Sequence, residues 1–218
     1  MNLMEKVRKG LNNPLSTFVA FEIIIAFVCI GIPVVLRLAD SCDECNCCCT
    51  YYNAFRSSIS DYAYMQHNYY FGMLLCMASM LFIYNGAVYF NNEDQFDLSK
   101  HGKWYNVVLG VSLLMVIIFP YKEFSIPHYV FSGIFFFGNA IVTIVFHDKK
   151  NRWLSIVLAL LTLASFVFFL FKTISLFWAE WASLTIIGVH FILEARTAVI
   201  KVKLERKRIM MQQMPKTQ

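Results

Sequence analysis

Charge is what this chain lacks. Asp, Glu, Lys and Arg make up 15% of its 218 residues, against about 25% in an average soluble domain. Hydrophobic residues account for 58% and aromatic residues for 17%, and the mean hydropathy is +0.55. So thin a polar complement excludes a soluble enzyme, a disordered chain and a nucleic-acid binder. No period of roughly 20–50 residues repeats, which argues against a solenoid. At this length one domain is expected: residues 1–218 read as a single membrane domain whose apolar excess faces lipid.

In place of charge there are long apolar runs. A spanning helix takes about 20 mostly apolar residues, and six stretches qualify, at 15–36, 69–90, 105–120, 128–146, 154–171 and 177–200. The expected fold is all-α, a polytopic membrane bundle of six transmembrane helices. The third run is the shortest and is bounded by Pro120, which continues a helix poorly. The fifth and sixth are separated by a few residues at 172–175, so they should form a tight antiparallel hairpin. The first run exceeds the roughly 7–15-residue core of a signal peptide, and no small-residue cleavage site follows cleanly, so it reads as a retained helix.

Six spans put both termini on one side, and the positive-inside rule selects the cytoplasm. On that assignment 15 of the 19 basic residues lie in inner segments, leaving only Arg37, Arg56, Lys122 and Lys172 outside. The expected localisation is therefore integral, multi-pass, with cytoplasmic termini and an outer loop over 37–68.

That loop holds five of the seven cysteines, Cys42, Cys45, Cys47, Cys48 and Cys49. An oxidising compartment favours disulfides among them, and the odd number leaves a thiol over or paired between chains. Passive thiols and a metal site stay open as alternatives, although no second Cys-x-x-Cys or His pair follows at zinc-finger distance. Downstream, Tyr51, Tyr52, Phe55, Tyr62 and Tyr64 give an aromatic density suited to a membrane-interface cap, expected to fold over the outer mouth of the bundle. Cys29 and Cys76 read as packing residues inside spans.

Ionisable groups inside spans are expensive and are functional candidates by default. In the fourth run His128, Ser132 and Asn139 are offset by 4 and 11 residues and share one helical face. Glu180 stands near the outer end of the last run, and Ser60, Asp61 and His67 enter the second run from the same side. These define a candidate outer site of Ser60, Asp61, His67, His128, Ser132 and Glu180. Two chemistries suit it: a metal or acid–base centre, with zinc the candidate ion on Asp61, His67, His128 and Glu180, or a polar network docking the loop. A pocket for a ligand or lipid headgroup is a third reading. His190 and Glu194, one turn apart, form a candidate inner pair about 15 Å below Glu180 at 1.5 Å per residue. Glu22 is expected near the inner interface. Gly72, Cys76, Ser79 and Gly86, and more weakly Gly133 with Gly138, suggest close helix seams.

After the last run the basic residues Lys201, Lys203, Arg206, Lys207 and Arg208 suit a helix continued into the cytoplasm and touching anionic headgroups. Anchoring of topology and binding of a partner helix are the other readings of this tail at 201–218.

Several motifs carry a resemblance: Ser58-Ile59-Ser60-Asp61-Tyr62, Phe71-Gly72-Met73-Leu74, Tyr84-Asn85-Gly86, Pro127-His128-Tyr129, Ser132-Gly133-Ile134-Phe135-Phe136 and Trp178-Ala179-Glu180-Trp181. From about residue 57 onward the chain resembles uncharacterised multi-helix membrane proteins classed as domains of unknown function. It is similar also to the DRAM and FGF-receptor-activating-protein group. That resemblance implies six helices, cytoplasmic termini and a role in membrane lipid organisation or trafficking. More distantly it resembles the CREST membrane hydrolases, which place a Ser, an Asp and three His around zinc. Ser60, Asp61 and His128 match part of that set, while the last helix reads His190-x-x-x-Glu194 in place of His-x-x-x-His. No complete catalytic set is visible in the sequence. The leading expectation is a non-enzymatic lipid- or ligand-binding protein, ahead of a metal-dependent hydrolase and a transporter or channel component. Membrane lipids are the expected partners, with a protein partner or a homo-oligomer open and nucleic acid excluded.

Overall fold

The structure, a computed structural model, describes residues 14–41, 55–91, 104–145 and 152–213. It is all-helical. Six α-helices follow the apolar runs: α1 Pro14–Ser41, α2 Tyr69–Asn91, α3 Tyr105–Ile118, α4 Ser125–Val145, α5 Arg152–Leu170 and α6 Leu176–Gln213. A short 3-10 helix, Ser60–Tyr64, lies between α1 and α2. Each α-helix packs on its sequence neighbour, and α1 lies along α6, so the six close into a ring in chain order.

Five of the helices are long and apolar enough to cross a bilayer, over Val19–Asp40, Tyr69–Val88, Ser125–Val145, Arg152–Leu170 and Leu176–Ile200. The third expected span differs. α3 has 14 residues, about 21 Å at 1.5 Å per residue, short of the usual 20. Pro120 is the cause, because a residue before proline is driven out of the helical region, and Phe119 sits at φ −111°, ψ 83°. α1 runs past the expected end at 36 to Ser41, and α6 continues without a break to Gln213. The α5–α6 turn is tight, with Lys172 at φ 57° and the Lys172 and Thr173 N–H groups bonded to the Phe169 and Phe168 carbonyls. These are the bonds by which a left-handed residue closes a helix end.

The interior is aromatic and aliphatic. Phe82 sits edge-on to both Phe135 and Phe191 at 5.6 and 5.3 Å, joining α2, α4 and α6 across the centre. The α2 stripe forms a close seam at Ser79 but not at Gly72. A side-chain carbon at Gly72 would meet nothing within 4 Å, so Gly72 borders open space. The close approach is between Ser79 and Gly110 of α3, where the Ser79 hydroxyl donates to the Gly110 carbonyl at 2.7 Å. Glu22 is fully buried along α1. At the end of the ring where α2 finishes and α3 begins, the Asn106 side-chain amide donates to Asn85 Oδ1 at 2.7 Å, a buried polar contact between α2 and α3.

Candidate functional site

Residues 55–68 form a cap over the end of the ring where α1, α3 and α5 finish and α2, α4 and α6 begin. Aromatic packing seats it. Phe55 stacks on Phe177 at 4.6 Å between ring centroids and meets Trp178 and Trp181 at its edges, while Tyr62 is fully buried beside Phe177. Polar ties pin the backbone. The Phe177 N–H donates to the Ser57 carbonyl at 2.8 Å, and the Ile59 N–H donates to Glu180 Oε2 at 2.6 Å. Arg56 grips the α1 end with both arms, Nε to Asp40 Oδ2 at 2.9 Å and Nη2 to Asp40 Oδ1 at 2.6 Å. The bidentate bond to Asp40 raises the Arg56 pKa further above its ordinary value, although partial burial opposes it.

Asp61 is the hub of the cap. Its carboxylate accepts the hydroxyls of Ser57 and Tyr121 and the Ser58 N–H at 3.0 Å. Burial pushes the Asp61 carboxyl up, but these hydrogen bonds to the charged form outweigh it and hold the group below the ordinary carboxylate range. The reciprocal effect falls on Tyr121: the bond to Asp61, with burial and the Asp61 charge behind it, lifts the phenol to about 12. A raised phenol pKa favours the folded state while the hydroxyl stays protonated. That contribution is complete below the ordinary value of 10.0 and is lost as pH climbs from there to about 12. An alkaline difference titration of wild type against Tyr121→Phe should therefore show one late tyrosine transition. Asp61→Asn should bring it down toward the ordinary value; a transition unmoved by that change would disprove the coupling.

Beneath the cap, Ser60 and His128 meet. Ser60 Oγ lies 3.0 Å from His128 Nε2, and His128 Nδ1 lies 2.7 Å from the Phe119 carbonyl oxygen. Both residues are buried. They line a cavity of about 510 Å3 shared by the cap, α4, α5 and the start of α6. Its rim is polar, with Ser57, Ser58, Asp61 and Tyr121, and its wall is aromatic, with Phe136, Phe137, Phe166 and Phe169. Phe137 is also 43% exposed, so this wall runs out to the bundle surface between α4 and α5. A further void of about 30 Å3 continues inward past Ser60, Ser132 and Glu180 toward Cys29 and Leu184.

Of the six residues expected to form one site, the structure places Ser60, Asp61, His128, Ser132 and Glu180 on this cavity. His67 is the exception. It packs against the rings of Tyr69 and Tyr70, because the turn after the 3-10 helix carries it to the start of α2. The expected zinc set of Asp61, His67, His128 and Glu180 is thereby broken. Among the described residues, no three His, Cys, Asp or Glu side chains converge as metal ligands. Both ring nitrogens of His128 and both oxygens of Asp61 already have protein partners, so the donors present do not fit zinc. His190 and Glu194 pair with each other at 3.5 Å, one turn apart on α6. The five clustered cysteines lie outside the described residues, as do the side chains of Lys201, Lys203, Arg206, Lys207 and Arg208. Cys29 and Cys76 are free thiols.

Three contributors were not foreseen: Ser57, Tyr121 and the Phe119 carbonyl. The clue to the last two was Pro120, which ends α3 and so directs both toward the cap.

No curated protein and no solved structure matches this chain, so the likenesses to the DRAM and FGF-receptor-activating-protein group and to the CREST hydrolases rest on short motifs alone. Residues 31–195 match a family of unknown function, DUF7103. The match takes in α2 to α5 whole, the second part of α1 from residue 31 and the α6 residues that build the cavity, and the chain belongs to that family.

Proposed function

We propose that this is an integral membrane protein that holds an amphipathic lipid in the capped cavity, its polar group at the rim and its chain along the aromatic wall. The observation that carries the reading is the division of the cavity itself. Serine, aspartate and tyrosine sit at the mouth, phenylalanines sit deeper, and the wall opens sideways at Phe137. Ligand pockets are mostly apolar with a few convergent polar groups, and a lateral opening in a lipid-facing bundle admits a ligand from the bilayer. Large apolar side chains cover the ring's exterior, among them Trp153 at 78% exposure, Ile126 and Leu170, which suits hydrocarbon and not water. The basic residues favour termini in the cytoplasm and the cap on the opposite face. On this reading Lys201, Lys203, Arg206, Lys207 and Arg208 follow α6 to the anionic inner headgroups.

The test is photo-crosslinking of the full chain in vesicles with a lipid carrying a photoactivatable acyl chain. Cross-links should concentrate on 128–137 of α4 and 166–169 of α5. Gly133→Leu should cut them several-fold, because a first side-chain carbon there meets only Phe137 at 3.8 Å and the rest of the leucine enters the cavity. Cross-links spread evenly over the outer surface, and indifferent to that substitution, would sink the pocket reading. Protease access to the C-terminal tail in sealed vesicles of known orientation checks the sidedness.

A further inference from the structure

We propose that Ser60 and His128 are a nucleophile and its general base, and that the protein hydrolyses a long-chain acyl ester held in this cavity. The proposal rests on the lipid-pocket reading above and adds an activity to it. The Phe119 carbonyl can only accept, so a contact of 2.7 Å at Nδ1 places a ring proton on that nitrogen. In the neutral ring Nε2 then carries a lone pair, and at 3.0 Å from Ser60 Oγ it accepts the serine proton. This is the relation required of an activated hydroxyl: a base within hydrogen-bond reach, itself oriented by a third group. Here a backbone carbonyl supplies the orientation that a carboxylate supplies in the serine triad.

Position supports the same role. Ser60 and His128 line the cavity in which a polar rim adjoins an aromatic wall. An ester linkage lies at that same junction in an amphipathic lipid. Glu180 acts as a positioning residue: by holding the Ile59 N–H at 2.6 Å it fixes the backbone immediately before Ser60.

The chemistry balances with water as the only co-reactant. Ser60 Oγ adds to the ester carbonyl carbon while its proton passes to His128 Nε2, and the carbonyl oxygen takes the negative charge. Ser132, four residues after His128 on the same wall, offers a hydroxyl donor to that oxygen. Collapse of the intermediate breaks the carbon–oxygen bond to the alcohol, which leaves with the proton from His128. A water then adds to the acyl-serine and gives its proton to Nε2. The second collapse breaks the serine–acyl bond and returns the proton to Ser60. The net change is ester and water to carboxylic acid and alcohol, with no change of oxidation state.

The experiment treats the full chain in bilayer discs with a long-alkyl fluorophosphonate and locates the adduct by peptide mass spectrometry. Wild type should be modified at Ser60, and a fluorogenic long-chain ester should be hydrolysed. Both signals should vanish in Ser60→Ala. His128→Asn keeps an amide donor for the Phe119 carbonyl but cannot accept the proton, and both rates should fall about 100-fold or more. The adduct site in the wild-type chain is decisive even if a variant folds poorly. An unmodified Ser60, or modification at Ser57, Ser58 or Ser132 in its place, overturns the proposal, as does full reactivity in His128→Asn. A non-hydrolysable ether lipid with a photoactivatable chain separates the two readings. Its capture in the cavity beside an inert Ser60 leaves the pocket and removes the enzyme, and failure of capture removes both.

Discussion

Phe177→Ala is expected to lower stability by about 3–5 kcal/mol, the range for truncating a buried phenylalanine, and to release the cap. Phe177 is fully buried and is the one ring against which Phe55, Tyr62, Trp178 and Trp181 all pack. Alanine would leave a void bordered by four aromatic residues drawn from the cap and α6, and groups of that size cannot collapse far into it. The backbone bond from Phe177 to Ser57 survives the substitution on paper, yet one neutral hydrogen bond contributes only about 1 kcal/mol and cannot hold the segment alone. Thermal unfolding in detergent reads the loss. Phe171→Ala, one turn of chain away and 75% exposed, is the control and should change little. Because Ser60 sits three residues after Ser57, releasing the cap should also abolish fluorophosphonate modification. Equal melting of the Phe177 and Phe171 variants would show that the cap is not seated by this cluster.

The helices were legible because each is marked by an apolar run, five of them long enough to cross a bilayer, and a run needs no partner to be seen. Their ring order was not, since closure of α1 on α6 depends on which faces mate, and a helix apolar all round carries no stripe to say so. The site divides in the same way. His128, Ser132 and Glu180 could be singled out because each is polar where polarity is costly, and helical periodicity alone puts His128 and Ser132 on one face. His67 was placed with them on chain proximity to Asp61, but inside a cap the turn decides direction, and the turn sends it to Tyr69 and Tyr70. The partners of Asp61 were hidden for a related reason. Tyr121 is 60 residues away and reaches it only because Pro120 ends α3 early. The Phe119 carbonyl, which sets the imidazole tautomer, is a backbone group that any residue supplies.

Gly110→Val should be nearly as damaging as Phe177→Ala, at about 3 kcal/mol, the upper part of the range for overpacking, and should also slow Ser60. A side-chain carbon built at Gly110 would stand 2.7 Å from the Ser79 carbonyl oxygen and from Ile83 Cγ1, and 2.9 Å from the Ile83 nitrogen. Two of those three atoms are backbone, so no rotamer relieves the contact and α3 must move away from α2. The hydrogen bond from Ser79 to the Gly110 carbonyl is lost in the same step. α3 ends at Ile118, immediately before Phe119, whose carbonyl fixes the His128 proton on Nδ1; a displaced α3 frees the imidazole to turn and leaves Nε2 without its assigned role. Gly188→Ala separates the two effects. It crowds the α1–α6 seam, where the added carbon would meet the Ala26 carbonyl oxygen and Ile30 Cγ1 at 3.0 Å, and it leaves α3 alone. Among Gly188 substitutions chosen to match the melting loss, Ser60 modification should persist, whereas in Gly110→Val it should fall with the carbonyl contact. Gly72→Ala, with nothing within 4 Å, should be neutral or slightly stabilising, because alanine favours a helix over glycine by about 1 kcal/mol. If all three variants lost Ser60 reactivity in proportion to stability alone, the Phe119 carbonyl would be a bystander and the orientation of His128 would have another source.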